Sequence, residues 1–131
     1  SRRYISSTPE LFVPDFLRSK PEGSVKQGSG GKHPLSSMWL KRYREQSFKA
    51  IALYQNMIED GVCPEQARFV LPQGCEVKWI WTGSLYAFAN FYLKRTDPHA
   101  QKEIRDLAEQ VGAIIEPLFP VSWKALTNGE G

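Results

Sequence analysis

Between residues 82 and 105 the chain reads TGSLYAFANFYLKRTDPHAQKEIR, which sets an Asn, an Arg and a His near one helix-to-helix junction. A guanidinium carries N–H donors in a planar fork, a carboxamide donates and accepts, and an imidazole holds or releases a proton. Such a set suits an anionic or heterocyclic ligand. Leu85, Phe88, Ala89 and Tyr92 recur at helical spacing, which leaves Asn90 and Arg95 off the apolar stripe toward the end of that helix. Asp97 is a good N-cap and Pro98 suits a first helical position, so His99 is expected in the first turn of the next helix, among unpaired N–H groups. The same spacing also fits solvated or capping residues, and periodicity does not choose between them.

Two further groups have the right chemistry. Ser1, Arg2 and Arg3 offer a hydroxyl, two guanidinium groups and backbone N–H donors, a combination that can cradle a phosphate, although a frayed basic terminus has the same composition. With no initiator methionine, the start reads as cut. Arg68 stands one helical turn after Glu65, where an ordinary ion pair is a sufficient explanation for it.

Several elements must position these residues. A weak extended segment is expected near Tyr4 to Val13. Residues 14–34 then collect prolines and glycines with almost no apolar content, which predicts a flexible loop whose Lys26, Gln27 and Ser29 can meet a polar ligand. Leu40, Tyr43, Ser47, Ala50, Ile51, Tyr54 and Ile58 mark an amphipathic helix, with Ser36 or Ser37 as its cap and Gly61 as its stop. The basic run KRYRE lies opposite that apolar stripe and reads as a solvated face rather than a nucleic-acid patch. PEQARFVL predicts a short helix burying Ala67, Val70 and Leu71, and EVKWIW alternates as a half-buried strand with Val77, Trp79 and Trp81 on one face. A last long helix over 98–118 is expected to bury Ala100, Ile104, Leu107, Ala108, Val111, Ile114 and Leu118, and VSWKAL to form a short terminal helix.

At 131 residues, 41% of them hydrophobic, the chain fits one globular domain. A net charge of +3 and a pI near 8.9 suit a small anion as readily as nucleic acid. No apolar run approaches the roughly 20 residues that cross a bilayer. Cys63 and Cys75 lack metal-ligand spacing and read as reduced, cytosolic and structural, so a cytoplasmic protein with no metal and no membrane partner is expected.

Read together, SRRY, PEQARFVLP, WTGSLYAFANFYLKR and DPHAQKEIR resemble the flavin-dependent thymidylate synthases, also called thymidylate synthase X. The resemblance covers nearly the whole chain, including its KQGS loop. The family's signature opens on Arg-His-Arg and closes at a serine followed by x-Arg-Tyr, of which Ser1, Arg3 and Tyr4 are present. The chain therefore looks like the C-terminal part of a family member and is expected to be inactive alone.

The resemblance implies an α/β (α+β) subunit, an antiparallel sheet flanked by helices, with this portion mainly helical and assembled into a homotetramer that shares its active sites. The implied reaction turns dUMP into dTMP with a methylene from 5,10-methylenetetrahydrofolate, FAD as redox cofactor and NADPH as hydride source. Arg95 matches the arginine that stabilises the uracil ring. Ser1, Arg2, Arg3 and Arg68 match dUMP contacts, with Arg2 at a variable position that contributes mainly backbone. Ser84, Leu85, Tyr86 and Asn90 match FAD contacts, while Tyr4 and His99 support the site. Many members carry Asn at the position of Ser84 and Arg at that of Tyr86; here a tyrosine replaces a charge with a ring that can stack. Two other classes remain open: a nucleotide- or RNA-binding module using Arg2, Arg3, Lys41, Arg42 and Arg44, and a non-catalytic relative kept for oligomer contacts.

Overall fold

The longest apolar period in the sequence becomes helix α1, Ser36–Glu59, in a computed structural model that describes residues 2–23 and 28–128. Leu40, Ser47, Ile51 and Tyr54 bury the expected face. The helix start differs from expectation. Its N-cap is Leu35, without a side-chain bond; Ser36 is buried, and its Oγ accepts the Leu17 N–H at 2.7 Å, so the serine fastens an incoming segment instead. The end is as read. Gly61 adopts φ 87° and its N–H donates to the Ile58 carbonyl at 3.0 Å, while Val62 N–H reaches the Met57 carbonyl at 2.8 Å. That pair of bonds is a Schellman stop, and a side chain other than glycine would strain it.

Helix α2, Pro64–Ala67, follows with proline in its first turn and runs into a 3-10 turn, Arg68–Val70. Both pack on α1, where Ala67 is fully buried. Three side chains of α1 tether the chain that precedes it. Tyr54 Oη donates to the Ile5 carbonyl at 2.6 Å, Gln55 Nε2 donates to Thr8 Oγ1 at 2.7 Å, and Tyr43 Oη donates to the Phe12 carbonyl at 2.8 Å. Phe12 N–H in turn donates to the Gly74 carbonyl at 2.9 Å, and Glu76 N–H to the Glu10 carbonyl at 2.8 Å, around an antiparallel bridge between Leu11 and Cys75.

Pairing stops there. The strand expected over EVKWIW forms no ladder among the described residues, where two isolated antiparallel bridges are the β-pairing seen. Val77, Trp79 and Ile80 are exposed by 48%, 67% and 94%, so the half-buried face expected of the strand is not buried among the described residues. These parts make one compact unit, Ser1–Arg18 with Lys32–Ile80; a second comprises Ser19–Gly31 and Trp81–Gly131.

In the second unit, α3 (Leu85–Arg95) packs against α4 (Lys102–Ile115) and α5 (Pro120–Thr127). Its buried centre is Ala89, Ala108, Gly112 and Trp123. Small residues let large rings sit close: a Cβ on Gly112 would fall 2.6 Å from Tyr92 Cε2, and the Tyr92 and Trp123 rings meet edge-on at 5.3 Å. Two expectations are corrected here. Helix α4 starts at Lys102 rather than at Pro98, because Asp97 closes a turn instead of capping the helix: its Oδ1 accepts the His99 N–H at 2.7 Å, and its carbonyl accepts the Ala100 N–H at 2.9 Å. Leu107, Ile114 and Leu118, expected in the core, are 45%, 65% and 66% exposed.

The 14–34 stretch is closed at its base. Arg18 bridges Lys32 in antiparallel fashion and Leu17 accepts from His33 at 2.8 Å; further out, Ser19 N–H meets the Gly31 carbonyl at 2.8 Å and Gly30 N–H meets that of Ser19 at 2.9 Å. Lys26 and Gln27 lie outside the described residues, and Ser29 is exposed.

Candidate functional site

The candidate phosphate and nucleotide residues gather in the first unit. Arg3 reaches Glu65 with Nε 3.4 Å from Oε1, the two side chains being 51% and 56% exposed. One turn on, Arg68 Nε donates to the backbone carbonyl of Glu65 at 3.1 Å. The Glu65 carboxylate thus faces Arg3, and the Glu65 peptide carbonyl accepts from Arg68. Arg2 is committed inward. Its guanidinium lies 5.6 Å from the centre of the Tyr54 ring and donates from Nη2 to the Ser7 carbonyl, while its Nε is buried without a partner among the described residues. Tyr4 is 85% exposed, and Ser1 lies outside the described residues.

This cluster exists because α1 holds the segment before it. The Tyr43, Tyr54 and Gln55 tethers fix the chain around Ile5, Thr8 and Phe12, and so bring Arg3 to the start of α2. Sequence reading counted both tyrosines as apolar-stripe residues and missed their hydroxyls. The available signal was a tyrosine where a buried stripe usually carries an aliphatic residue, since a buried hydroxyl needs a partner. Burial raises the Cys75 thiol above its ordinary value, opposed by the nearby Arg2 charge; Cys63 and Cys75 are both unpaired.

The remaining candidates lie in the second unit along α3. Ser84 is its N-cap and accepts the Ala87 N–H on Oγ at 3.2 Å. Leu85 and Phe88 help line an open, apolar cavity of about 380 Å³ together with Gly83, Val111, Ile114 and Phe119. Tyr86, 65% exposed, and half-buried Asn90 stand four residues apart and so share a helix face. Arg95 is exposed as the last residue of α3, on the face that carries Phe88 and Phe91. Those two rings hold Trp81, at 4.4 Å and 4.9 Å between centroids. His99 is exposed in the turn beyond, with Nδ1 3.0 Å from Asp97 Oδ1. The backbone N–H of His99, and then its ring, hold the Asp97 carboxyl below its ordinary range.

The sequence pattern of the Thy1 family, described as thymidylate synthase complementing protein, matches residues 1–121. The chain belongs to the Thy1 family. Among relatives, the flavin-dependent thymidylate synthase of Kosmotoga olearia is 32% identical over 130 residues, covering 98% of this chain and 56% of that protein. The flavin-dependent thymidylate synthase of Aquifex aeolicus is 31% identical over 116 residues, covering 88% of this chain and 37% of that protein. That of Dictyostelium discoideum is 30% identical over 134 residues, covering 98% and 43%. This Thy1 chain thus spans about half the length of the relatives it matches. Among its described residues no helix is long and apolar enough to cross a membrane.

Proposed function

We propose that this Thy1 chain carries nucleotide and flavin determinants of a cytoplasmic thymidylate synthase that converts dUMP to dTMP with a methylene from 5,10-methylenetetrahydrofolate. The observation that carries the reading is the run of family positions along α3, from the Ser84 cap to the exposed guanidinium of Arg95, inside a family match over residues 1–121. Arg3 and Arg68, with Ser1 and the backbone of Arg2, bind the nucleotide; guanidinium forks suit its phosphate. Arg95 donates to the uracil ring as its N3 proton is lost. A planar cation at the developing anion favours electron density on the ring carbon that attacks the methylene.

The residues at the start of α3 fit FAD. Ser84 spends an oxygen lone pair on its cap and keeps its O–H to donate, exposed Tyr86 offers a ring face, Asn90 adds an amide, and Leu85 borders an apolar cavity suited to a flat ring system. FAD, when bound, supplies the redox chemistry with NADPH as hydride source. Tyr4 and His99 support the site, the latter oriented by Asp97. A homotetramer with shared active sites is supported by the apolar side chains that α4 leaves uncovered, and an antiparallel sheet by the alternating apolar pattern of EVKWIW and its exposed Val77 and Trp79.

The full-length enzyme tests this reading. It should show flavin absorbance and dUMP-dependent NADPH oxidation that Arg95→Ala lowers by about 10²- to 10³-fold without unfolding; a protein with neither property would end it. One observation favours a second reading, RNA binding: Arg42 lies 5.3 Å from the centre of the exposed Trp39 ring, beside Lys41 and Arg44. Its mark is affinity that falls steeply with salt and survives Arg95→Ala.

A further inference from the structure

Glu65 meets both arginines of the nucleotide cluster with different groups. Its carboxylate faces Arg3 Nε at 3.4 Å and its carbonyl accepts from Arg68 Nε at 3.1 Å. Both contacts are at the protein surface, where an ion pair adds little to stability. Their effect is geometric: the side chain and the peptide group of one residue each engage one of the two guanidinium groups. Pro64, in the first turn of α2, restricts the backbone from which both contacts are made.

From this arrangement we infer that Glu65 is a positioning residue for the anionic end of the nucleotide: its carboxylate orders Arg3 before the ligand arrives and its carbonyl orders Arg68. The inference rests on the proposed dUMP reading. An arginine held in place beforehand loses less side-chain freedom on binding, and that freedom is worth about 0.5–1.5 kcal/mol, or roughly 2- to 12-fold in affinity. The carboxylate also has an opposite effect once its partner is gone. Beside an intact Arg3 its charge is compensated; without Arg3 it stands against the incoming phosphate as an uncompensated like charge.

That reversal distinguishes positioning from a merely structural role. In the full-length, flavin-loaded enzyme, dUMP binding by calorimetry should weaken about 2- to 12-fold in Glu65→Ala. Glu65→Gln, which keeps an acceptor for Arg3, should weaken it less, and kcat at saturating dUMP should stay nearly constant. In an Arg3→Ala background the same Glu65→Ala change should strengthen dUMP binding. In an Arg68→Ala background it should still weaken it, because the Arg68 contact uses the backbone. Unchanged affinity in both Glu65 variants, or equal weakening with and without Arg3, overturns the assignment. Should Arg3→Ala and Arg68→Ala themselves leave dUMP affinity intact, the nucleotide reading fails and the assignment falls with it. Thermal melting of each variant separates these outcomes from unfolding.

Discussion

In the unit built on α1, Arg3 and Arg68 are already engaged by Glu65 and Arg2 rests on Tyr54, whereas in the unit built on α3 the candidate catalytic Arg95 stands exposed on the last helical turn. The two arrangements suit different tasks. Arginines ordered beforehand bind an unchanging group, such as a phosphate, at low entropic cost. A contact made as charge develops lowers the barrier more than one made equally to the bound substrate. The first unit should therefore govern affinity and the second turnover.

The largest effect expected is on Arg95. Arg95→Ala should lower kcat by about 10²- to 10³-fold, the range seen when one donor to a developing anion is removed, with dUMP affinity changing far less. Rapid-quench turnover alongside dUMP titration checks this; a loss confined to affinity would erase the contrast between units. Next comes Gly112→Ala, whose methyl would collide with the Tyr92 ring. Overpacking of about 1–3 kcal/mol outweighs the helix-propensity gain of up to about 1 kcal/mol, so the melting temperature should fall and the near-ultraviolet signal of Trp123 change. An unchanged melting curve would mean that α3 and α4 do not meet closely there.

Tyr54→Phe probes the other unit more gently. It removes the hydroxyl bond to Ile5 and should cost about 1 kcal/mol in urea denaturation, with weaker dUMP binding as Arg3 loses its support. Smallest is the Asp97 turn. A carboxyl held low takes up its proton at lower pH in the folded chain than in the unfolded one. Its contribution is therefore complete above the ordinary carboxylate pKa and is lost as pH falls through the lowered value. Carboxylate NMR should show that lowered midpoint, and His99→Ala should raise it only partway, since the larger bond comes from the backbone N–H. A midpoint at the ordinary value would remove the Asp97 turn from the account.

What could be read in advance follows the range of each interaction. Helix α1, its buried stripe and the Gly61 stop depend on neighbours within a few residues and were legible from spacing. The Asp97-Pro98 signal was also local but ambiguous, because an Asp that caps a helix and an Asp that closes a turn use the same oxygen on the same kind of N–H. The Tyr43 and Tyr54 hydroxyls pair 31 and 49 residues away, and no periodicity carries that information. Alternation in EVKWIW suggested a half-buried strand, but a strand needs a partner beside it, and among the described residues the segment forms no ladder. Among the candidate site residues, chemistry was legible in type and grouping was not: nothing local joins Arg3 to Glu65.

The tyrosine tethers also have a consequence in time. Helix α1 can form from contacts between near neighbours, but Ile5 meets Tyr54 only after the chain closes on itself across 49 residues. Closure of that kind is slow to reach, although each doubling of loop length adds only about 0.6 kcal/mol to its cost. Arg3 acquires its Glu65 contact at that step, so the Arg3–Glu65 pair is expected among the last contacts of its unit to form.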